Sequence, residues 1–123
     1  MKKILIIIAA IAVGLSSTPQ ANAHAQVSTS VPLKNKTIKV LPRLVWVEFD
    51  GDLITLDGKA SNAITVTNAK KKRVDDGSTI IGGARISTYL KAKLPAGRYL
   101  VSYRVVSEDG HPVIGSYYFT YQP

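Results

Sequence analysis

The stretch RYLVSYRVVSEDGHPVIGSYYFTYQ, residues 98–122, decides the fold. It contains a run rich in Tyr and Val and a later run of aromatic and Thr residues, and both compositions favour β-strands. Between them, Asp109-Gly110 is a turn signal. The stretch therefore predicts two strands, near 98–106 and 114–122, joined by a polar connection.

Further upstream the same strand pattern continues. Val45, Val47 and Phe49 alternate with their neighbours at period two, and no window has the periodicity of an amphipathic helix. Frequent Asp-Gly and Gly-Gly turn signals separate the short runs. Further strands are predicted near 26–30, 38–40, 43–50, 53–56, 63–68, 71–74, 79–81 and 86–92. The fold class predicted is all-β, an antiparallel β-sandwich, with Trp46, Phe49 and Phe119 in its core.

The N-terminus has the features of a secretory signal peptide. Lys2 and Lys3 precede an apolar run, Ile4 to Leu15, and Ala21-Asn22-Ala23 forms an A-x-A cleavage site. We expect residues 1–23 to be removed and residues 24–123 to form the mature domain, without a membrane span, in the periplasm or outside the cell. The alternative is an uncleaved membrane anchor. Since the chain has no Cys, its core must stabilise it without disulfides.

The chain is basic. It carries 16 Lys and Arg against 8 Asp and Glu, and removal of Lys2 and Lys3 lowers its net charge from +8 to +6. Such a charge serves solubility or attracts an anionic surface, and solubility is the interpretation we favour. The dense cluster at 70–73 reads as a polar turn. No aromatic residues interleave with it, so no nucleic-acid partner is predicted.

His24 and His111 are the chain's two histidines. Cleavage after Ala23 would make His24 the first residue, whose α-amine and imidazole together can chelate a metal. Asp109 and His111 are two residues apart, so in an extended segment their side chains point the same way. Three nitrogens and one oxygen suit Cu(II) or Ni(II). With no Cys, and Met1 as the single Met, a Cu(I) or blue-copper site is not expected.

The sequence resembles the CopC family of copper-resistance proteins across the mature domain. The similarity lies in His24 to Ser28 followed by Pro32, in Pro42 to Leu53, and most specifically in Pro95 to Tyr99 and Tyr103 to Pro112, followed by Gly115 and Phe119. The resemblance implies an Ig-like antiparallel β-sandwich with Greek-key connections, which binds Cu(II) outside the cytoplasm through His24, Asp109 and His111. It also implies a copper carrier or buffer, often working with a CopD-type membrane importer, and no catalysis.

The departures from the family narrow this expectation. The Met-rich Cu(I) loop of some members is missing, and the contribution of Asp50 or Asp52 stays open. We expect one Cu(II) per mature chain, a monomer, and a separate importer. The alternatives are an Ig-like interaction module without metal and, less favoured, a copper-dependent oxidative enzyme. The enzyme is less favoured because Asp109 would occupy a coordination position on the copper that such enzymes keep available for oxygen.

Overall fold

The computed structural model describes residues 25–56 and 61–123, and these form strands and loops. No helix among them is long and apolar enough to cross a membrane. The predicted all-β class is therefore confirmed. The strands are β1 (Val27–Val31), β2 (Thr37–Ile38), β3 (Leu44–Phe49), β4 (Ala63–Thr67), β5 (Ile80–Gly82), β6 (Arg85–Tyr89), β7 (Gly97–Val106) and β8 (Pro112–Tyr121).

The strands form two four-stranded sheets, with the orders β1-β3-β6-β5 and β2-β8-β7-β4. The pairing is antiparallel except between β2 and β8, where Thr37 pairs with Thr120 in parallel. No sequence pattern predicted this parallel pair. The long β7–β8 hairpin runs in unbroken register from Gly97↔Tyr121 to Val106↔Pro112, so the connection after Val106 lies at one end of the sandwich.

The core lies between the two sheets, because alternate residues of each strand face inward. The Phe49 and Tyr103 rings, one from each sheet, meet edge to face at 5.5 Å between centroids. Tyr99 stacks on Phe119 at 5.4 Å. Phe49 and Phe119 are 3% and 0% exposed, which confirms their predicted place in the core. Other buried apolar residues include Val45, Val47, Ile64, Val66, Ile86, Val101, Val105 and Tyr117.

The prediction that Trp46 is a core residue was wrong. Its neighbours Val45 and Val47 face inward, so period two turns Trp46 to the outer face. There the Arg85 guanidinium lies 3.7 Å above the ring centroid, and Arg85 also pairs with Glu48. This cation–π contact covers one face of the Trp46 ring, on the side of the sheet that faces away from the core.

Two predicted strands, 53–56 and 71–74, were also wrong. Leu53 makes an isolated bridge to Ser107, and residues 54–56 form no strand. Lys71 has φ +62°, a left-handed conformation that a strand cannot continue through. The Asn68 side chain accepts hydrogen bonds from the backbone of Lys70 and Lys72, both at 3.0 Å, so this segment is a tight turn.

A buried carboxylate secures the loop that follows this turn. Asp75, 3% exposed, accepts hydrogen bonds from the backbone of Val66 at 2.8 Å and Gly77 at 2.9 Å, and pairs with Arg73 at 2.6 Å. Burial opposes the charge, but the hydrogen bonds from Arg73, Val66 and Gly77 outweigh it and lower the pKa of Asp75. The carboxylate therefore stays ionised in the folded protein.

Gly115 makes room for a large side chain of the adjacent strand. It pairs with Tyr103 across the β7–β8 hairpin, and a Cβ added to Gly115 would collide with the Tyr103 ring and hydroxyl. The ring therefore lies over bare backbone and reaches Phe49. Burial raises the pKa of the Tyr103 hydroxyl.

Candidate metal centre

The loop between β7 and β8 holds Asp109 and His111 in a closed turn. The Gly110 amide donates to the Ser107 carbonyl at 2.9 Å, and the Ser107 amide donates to the His111 carbonyl at 3.1 Å. Gly110 has φ +81°, a conformation that glycine adopts without the steric cost of a Cβ. The turn signal at Asp109-Gly110 is therefore confirmed. The extended geometry expected for the pair was wrong, although the two side chains still meet.

Three hydrogen bonds fix the Asp109 carboxylate. Its Oδ1 accepts from the Ser107 hydroxyl and from the His111 amide at 3.1 Å. Its Oδ2 lies 3.1 Å from Nδ1 of the His111 ring. Ser107 is 2% exposed, so its hydroxyl contacts the carboxylate from the protein interior. These contacts therefore orient the carboxylate toward the imidazole at the protein surface.

The same contacts decide the charge of Asp109. The Ser107 hydroxyl, followed by the backbone and ring of His111, holds the pKa of Asp109 well below its usual range. The side chain of His111 is 65% exposed and that of Asp109 is 22% exposed. At neutral pH the loop therefore presents an ionised carboxylate beside an accessible imidazole.

This pair offers a metal ion two modes of binding. An ion can replace the proton shared by the carboxylate and Nδ1, and then both side chains are ligands. Alternatively, the ring stays hydrogen-bonded through Nδ1 and binds by Nε2, with Asp109 orienting it. Both modes use one nitrogen and one negatively charged oxygen donor.

The first described residues lie at the same end of the sandwich. The amide of Gln26 donates to Asp50 Oδ1 at 2.8 Å, and the Asp50 amide donates to the Gln26 carbonyl at 2.8 Å. A Cβ on the next residue, Gly51, would lie 3.6 Å from Glu108 Oε2. The segment that follows His24 is thus joined to the end of β3, which adjoins the metal-binding loop. His24 itself lies outside the described residues.

Asp109 and His111 do not complete a metal site by themselves. Across residues 25–56 and 61–123, no three His, Cys, Asp or Glu side chains are arranged to hold a metal ion. Within the described residues, the candidate site therefore consists of Asp109 and His111.

Negative charge surrounds the loop. The exposed carboxylates of Asp50, Asp52 and Glu108 lie at this end beside Asp109, because β3 and β7 both end here. Clustered carboxylates raise the local concentration of cations. This end of the domain is therefore suited electrostatically to receiving a metal ion, although the whole chain is basic.

A family model described as the CopC domain matches residues 27–122. The chain belongs to the CopC family. Its fold agrees with solved members: CopC from Methylosinus trichosporium OB3b is 27% identical, with a TM-score of 0.66, covering 81% of this chain and 95% of that one. PcoC from Escherichia coli, described as a methionine-rich copper resistance protein, is 26% identical with the same TM-score, covering 81% of this chain and 100% of that one.

Curated relatives of this CopC-family chain carry copper-related names. Copper resistance protein C of Escherichia coli is 28% identical over 111 residues, which is 81% of this chain and 82% of that protein. Copper transport protein CutJ of Bacillus subtilis is 33% identical over 96 residues, 76% of this chain. The matched region spans only 17% of CutJ, so most of that protein has no counterpart in the match.

Sequence reasoning missed one contributor to this end of the fold and left the part played by another open. Ser107 orients the Asp109 carboxylate, and Asp50 binds the backbone of Gln26. A Ser two residues before the Asp of an Asp-Gly turn is a local signal that was available. The Asp50 contact joins residues 24 positions apart, and no local pattern announces it.

Proposed function

We propose that this CopC-family protein is an exported Cu(II)-binding carrier or buffer in copper resistance or homeostasis. It binds one Cu(II) through the amine and imidazole of His24, the carboxylate of Asp109 and the imidazole of His111. The observation that carries the proposal is the 3.1 Å contact between Asp109 Oδ2 and His111 Nδ1 on an acidic end of the sandwich. The copper-related names of its relatives support the choice of metal.

The proposed part played by His24 depends on cleavage. While residues 1–23 remain attached, the nitrogen of His24 is an amide and a poor ligand. Cleavage after Ala23 converts it to an amine, which closes a chelate ring with the imidazole of the same residue. Ala25 packs against the core and Gln26 is bound to Asp50, so the chain leaving His24 is anchored near Asp109.

The donor set favours Cu(II) over Cu(I). Nitrogen and carboxylate donors suit Cu(II), whereas Cu(I) prefers thiolate and thioether sulfur. PcoC is described as methionine-rich, but this chain has one Met, Met1, and no Cys. Met1 lies in the predicted signal peptide and leaves with it, so the mature domain offers no sulfur ligand.

The proposal describes a carrier rather than an enzyme. The amine and imidazole of His24, the carboxylate of Asp109 and the imidazole of His111 would supply four donors to Cu(II), a set that would favour holding the ion over activating oxygen. The protein acts as a monomer and exchanges copper with a separate CopD-type membrane importer.

Copper titration of the mature protein tests the proposal. We expect one Cu(II) per chain, with affinity strongly reduced in His24→Ala and in Asp109→Ala/His111→Ala. Asp76→Asn, which changes an exposed carboxylate away from the loop, should bind copper like the parent. Undiminished Cu(II) binding in the combined His24→Ala/Asp109→Ala/His111→Ala variant would overturn the proposal.

A further inference from the structure

Positive charge collects at the end of the sandwich opposite the metal-binding loop. The connection after β4 brings Lys70, Lys71 and Lys72 to this end, and the connection after β6 brings Lys91 and Lys93. All five are exposed. Sequence positions 20 residues apart thus share one surface because antiparallel strands return to the same end. We call this surface the basic end.

Other parts of the chain add to the basic end. Lys36 and Lys39 flank β2, whose partner is the last part of β8, and the Lys36 carbonyl accepts from the Thr120 amide at 2.9 Å. Arg43 and Arg98 lie where β3 and β7 begin. Each is exposed, so the basic end extends over both sheets.

Two surface depressions show that these cations are close neighbours. Arg43, Lys91 and Lys93 line one of them. Lys70 and Arg98 line the other. The charge therefore covers a broad area made from several connections, and it is not a property of the 70–73 cluster alone.

The opposite end has few cations to balance this distribution. Of the Lys and Arg in the part of the chain that the structure describes, only Arg85 and Arg104 lie in the acidic half. Arg85 is paired with Glu48 at 3.0 Å. In the half of the domain that carries the basic end, Asp75 is buried and paired with Arg73. Among the described residues of that half, Asp76 is the exposed acidic residue. The domain is therefore electrically polarised from end to end.

Exposed apolar side chains accompany the lysines. Val40 is 81% exposed beside Lys39, and Leu33 is 52% exposed beside Lys34. Ile114, in the acidic half, is also 76% exposed, so exposure alone does not distinguish the basic end. What distinguishes Val40 and Leu33 is that they lie among many exposed lysines. Cations interspersed with apolar side chains are typical of proteins that bind the headgroup region of an anionic bilayer.

Nucleic acid fits this surface less well. Its exposed aromatic residues are Tyr89 and Tyr118. The guanidinium of Arg43 lies 5.7 Å from the ring centroid of Tyr89, and that of Arg98 lies 3.8 Å from that of Tyr118. Because each ring already has a cation over one face, that face is closed to a stacked base.

The charge distribution points to a docking surface: the basic end binds the surface of a bilayer containing anionic phospholipid, with Val40 and Leu33 entering the headgroup region. The acidic end, with Asp109 and His111, then faces away from the bilayer. This inference does not depend on copper binding, since no residue of the metal-binding loop takes part in it.

Vesicle co-sedimentation tests the docking surface. The exported protein is mixed with vesicles of phosphatidylcholine alone, or of phosphatidylcholine with phosphatidylglycerol, at low and high salt. We expect binding to the mixed vesicles only, and its loss at high salt. A retained apolar leader would bind both kinds of vesicle equally, and that result would overturn the inference.

Two double variants with the same net charge locate the surface. Lys70→Gln/Lys72→Gln should weaken vesicle binding roughly thirtyfold, since each Lys near an anionic bilayer contributes about a factor of five to six. Arg85→Gln/Arg104→Gln, at the other end, should change it less than about threefold. Equal losses in the two variants would show that net charge alone attracts the protein, and the inference would be wrong.

A further variant distinguishes the bilayer from other polyanions. Val40→Ser should weaken vesicle binding several-fold and leave binding to a single-stranded oligonucleotide unchanged, because only the bilayer accepts the apolar side chain. If Val40→Ser had no effect on vesicles and the oligonucleotide bound more tightly than the vesicles at equal salt, nucleic acid would replace the bilayer as the partner.

Discussion

Replacing Ser107 by Ala tests how the metal-binding loop is organised. The variant removes the hydroxyl that donates to Asp109 Oδ1 and leaves the backbone turn closed by the Gly110 and Ser107 amides. Asp109 keeps its two contacts with His111. The loop should therefore fold, with a carboxylate that is less firmly oriented.

The size of the effect follows from the number of contacts that remain. Loss of a hydrogen-bond partner of a metal ligand usually lowers metal affinity about 10- to 100-fold. Because the His111 amide still holds Oδ1 at 3.1 Å, we expect the lower end of that range, about tenfold. The stoichiometry of one Cu(II) per chain should not change, since no proposed ligand is removed.

Competition with a chromophoric Cu(II) chelator measures this affinity, and thermal denaturation checks that the variant is folded. Ser30→Ala is the matched control. Ser30 is also buried, and its hydroxyl donates to the Pro32 carbonyl at 2.8 Å, away from the loop. Parental affinity in Ser107→Ala, or an equal loss in the two serine variants, would refute the idea that Ser107 orients the carboxylate.

Three further predictions concern packing, pH and the N-terminal segment. Gly115→Ala should destabilise the fold by about 1–3 kcal/mol in urea denaturation, because the new methyl group overlaps the Tyr103 ring. Asp75→Asn should lower the free energy of unfolding by about 1–3 kcal/mol at neutral pH. The loss stays moderate because Arg73 is 53% exposed, so water can hydrate its guanidinium when the carboxylate is removed. Asp50→Ala should lower Cu(II) affinity in the chelator assay by releasing Gln26.

The pH dependence gives Asp75 a second test. Its folded-state pKa is lowered, so its stabilising contribution is present above the unfolded-state pKa of about 3.9 and is lost as pH falls through the folded-state value. Asp75→Asn should therefore lose less stability on acidification than the parent. Identical acid profiles for the two proteins would contradict the assignment.

Matched controls accompany the other two changes. Gly82→Ala adds a methyl group with no other atom within 4 Å and should be well tolerated; a loss as large as that of Gly115→Ala would argue against the overlap. Asp52→Ala removes an exposed carboxylate of the same acidic end. If Asp52→Ala and Asp50→Ala weakened copper binding equally, general electrostatic attraction would explain the effect better than the Gln26 contact.

The sequence predicted what local patterns encode. Period-two alternation around Val45 and Val47 located the core strands, and the Asp-Gly-His-Pro run brought Asp109 and His111 together. The prediction for Trp46 failed because a large aromatic side chain suggests burial, whereas the alternation with Val45 and Val47 turns this residue to the outer face. The orienting hydroxyl of Ser107 belongs to the same turn and was within reach of local reasoning.

Features that depend on the meeting of distant segments could not be predicted. The parallel β2–β8 pair and the Asp50–Gln26 contact join parts of the chain that carry no complementary local signal. Charge behaves in the same way. Net charge does not say where the charged residues lie. Lys70 and Lys91 are separated from Asp109 because antiparallel strands bring the two lysines to the opposite end of the sandwich.

The mass of the exported protein, measured under native conditions with and without Cu(II), tests the central claim most directly. The account predicts a chain that begins at His24 and gains the mass of one copper ion. A chain that begins elsewhere and still binds one Cu(II), or a chain that begins at His24 and gains none, would contradict it.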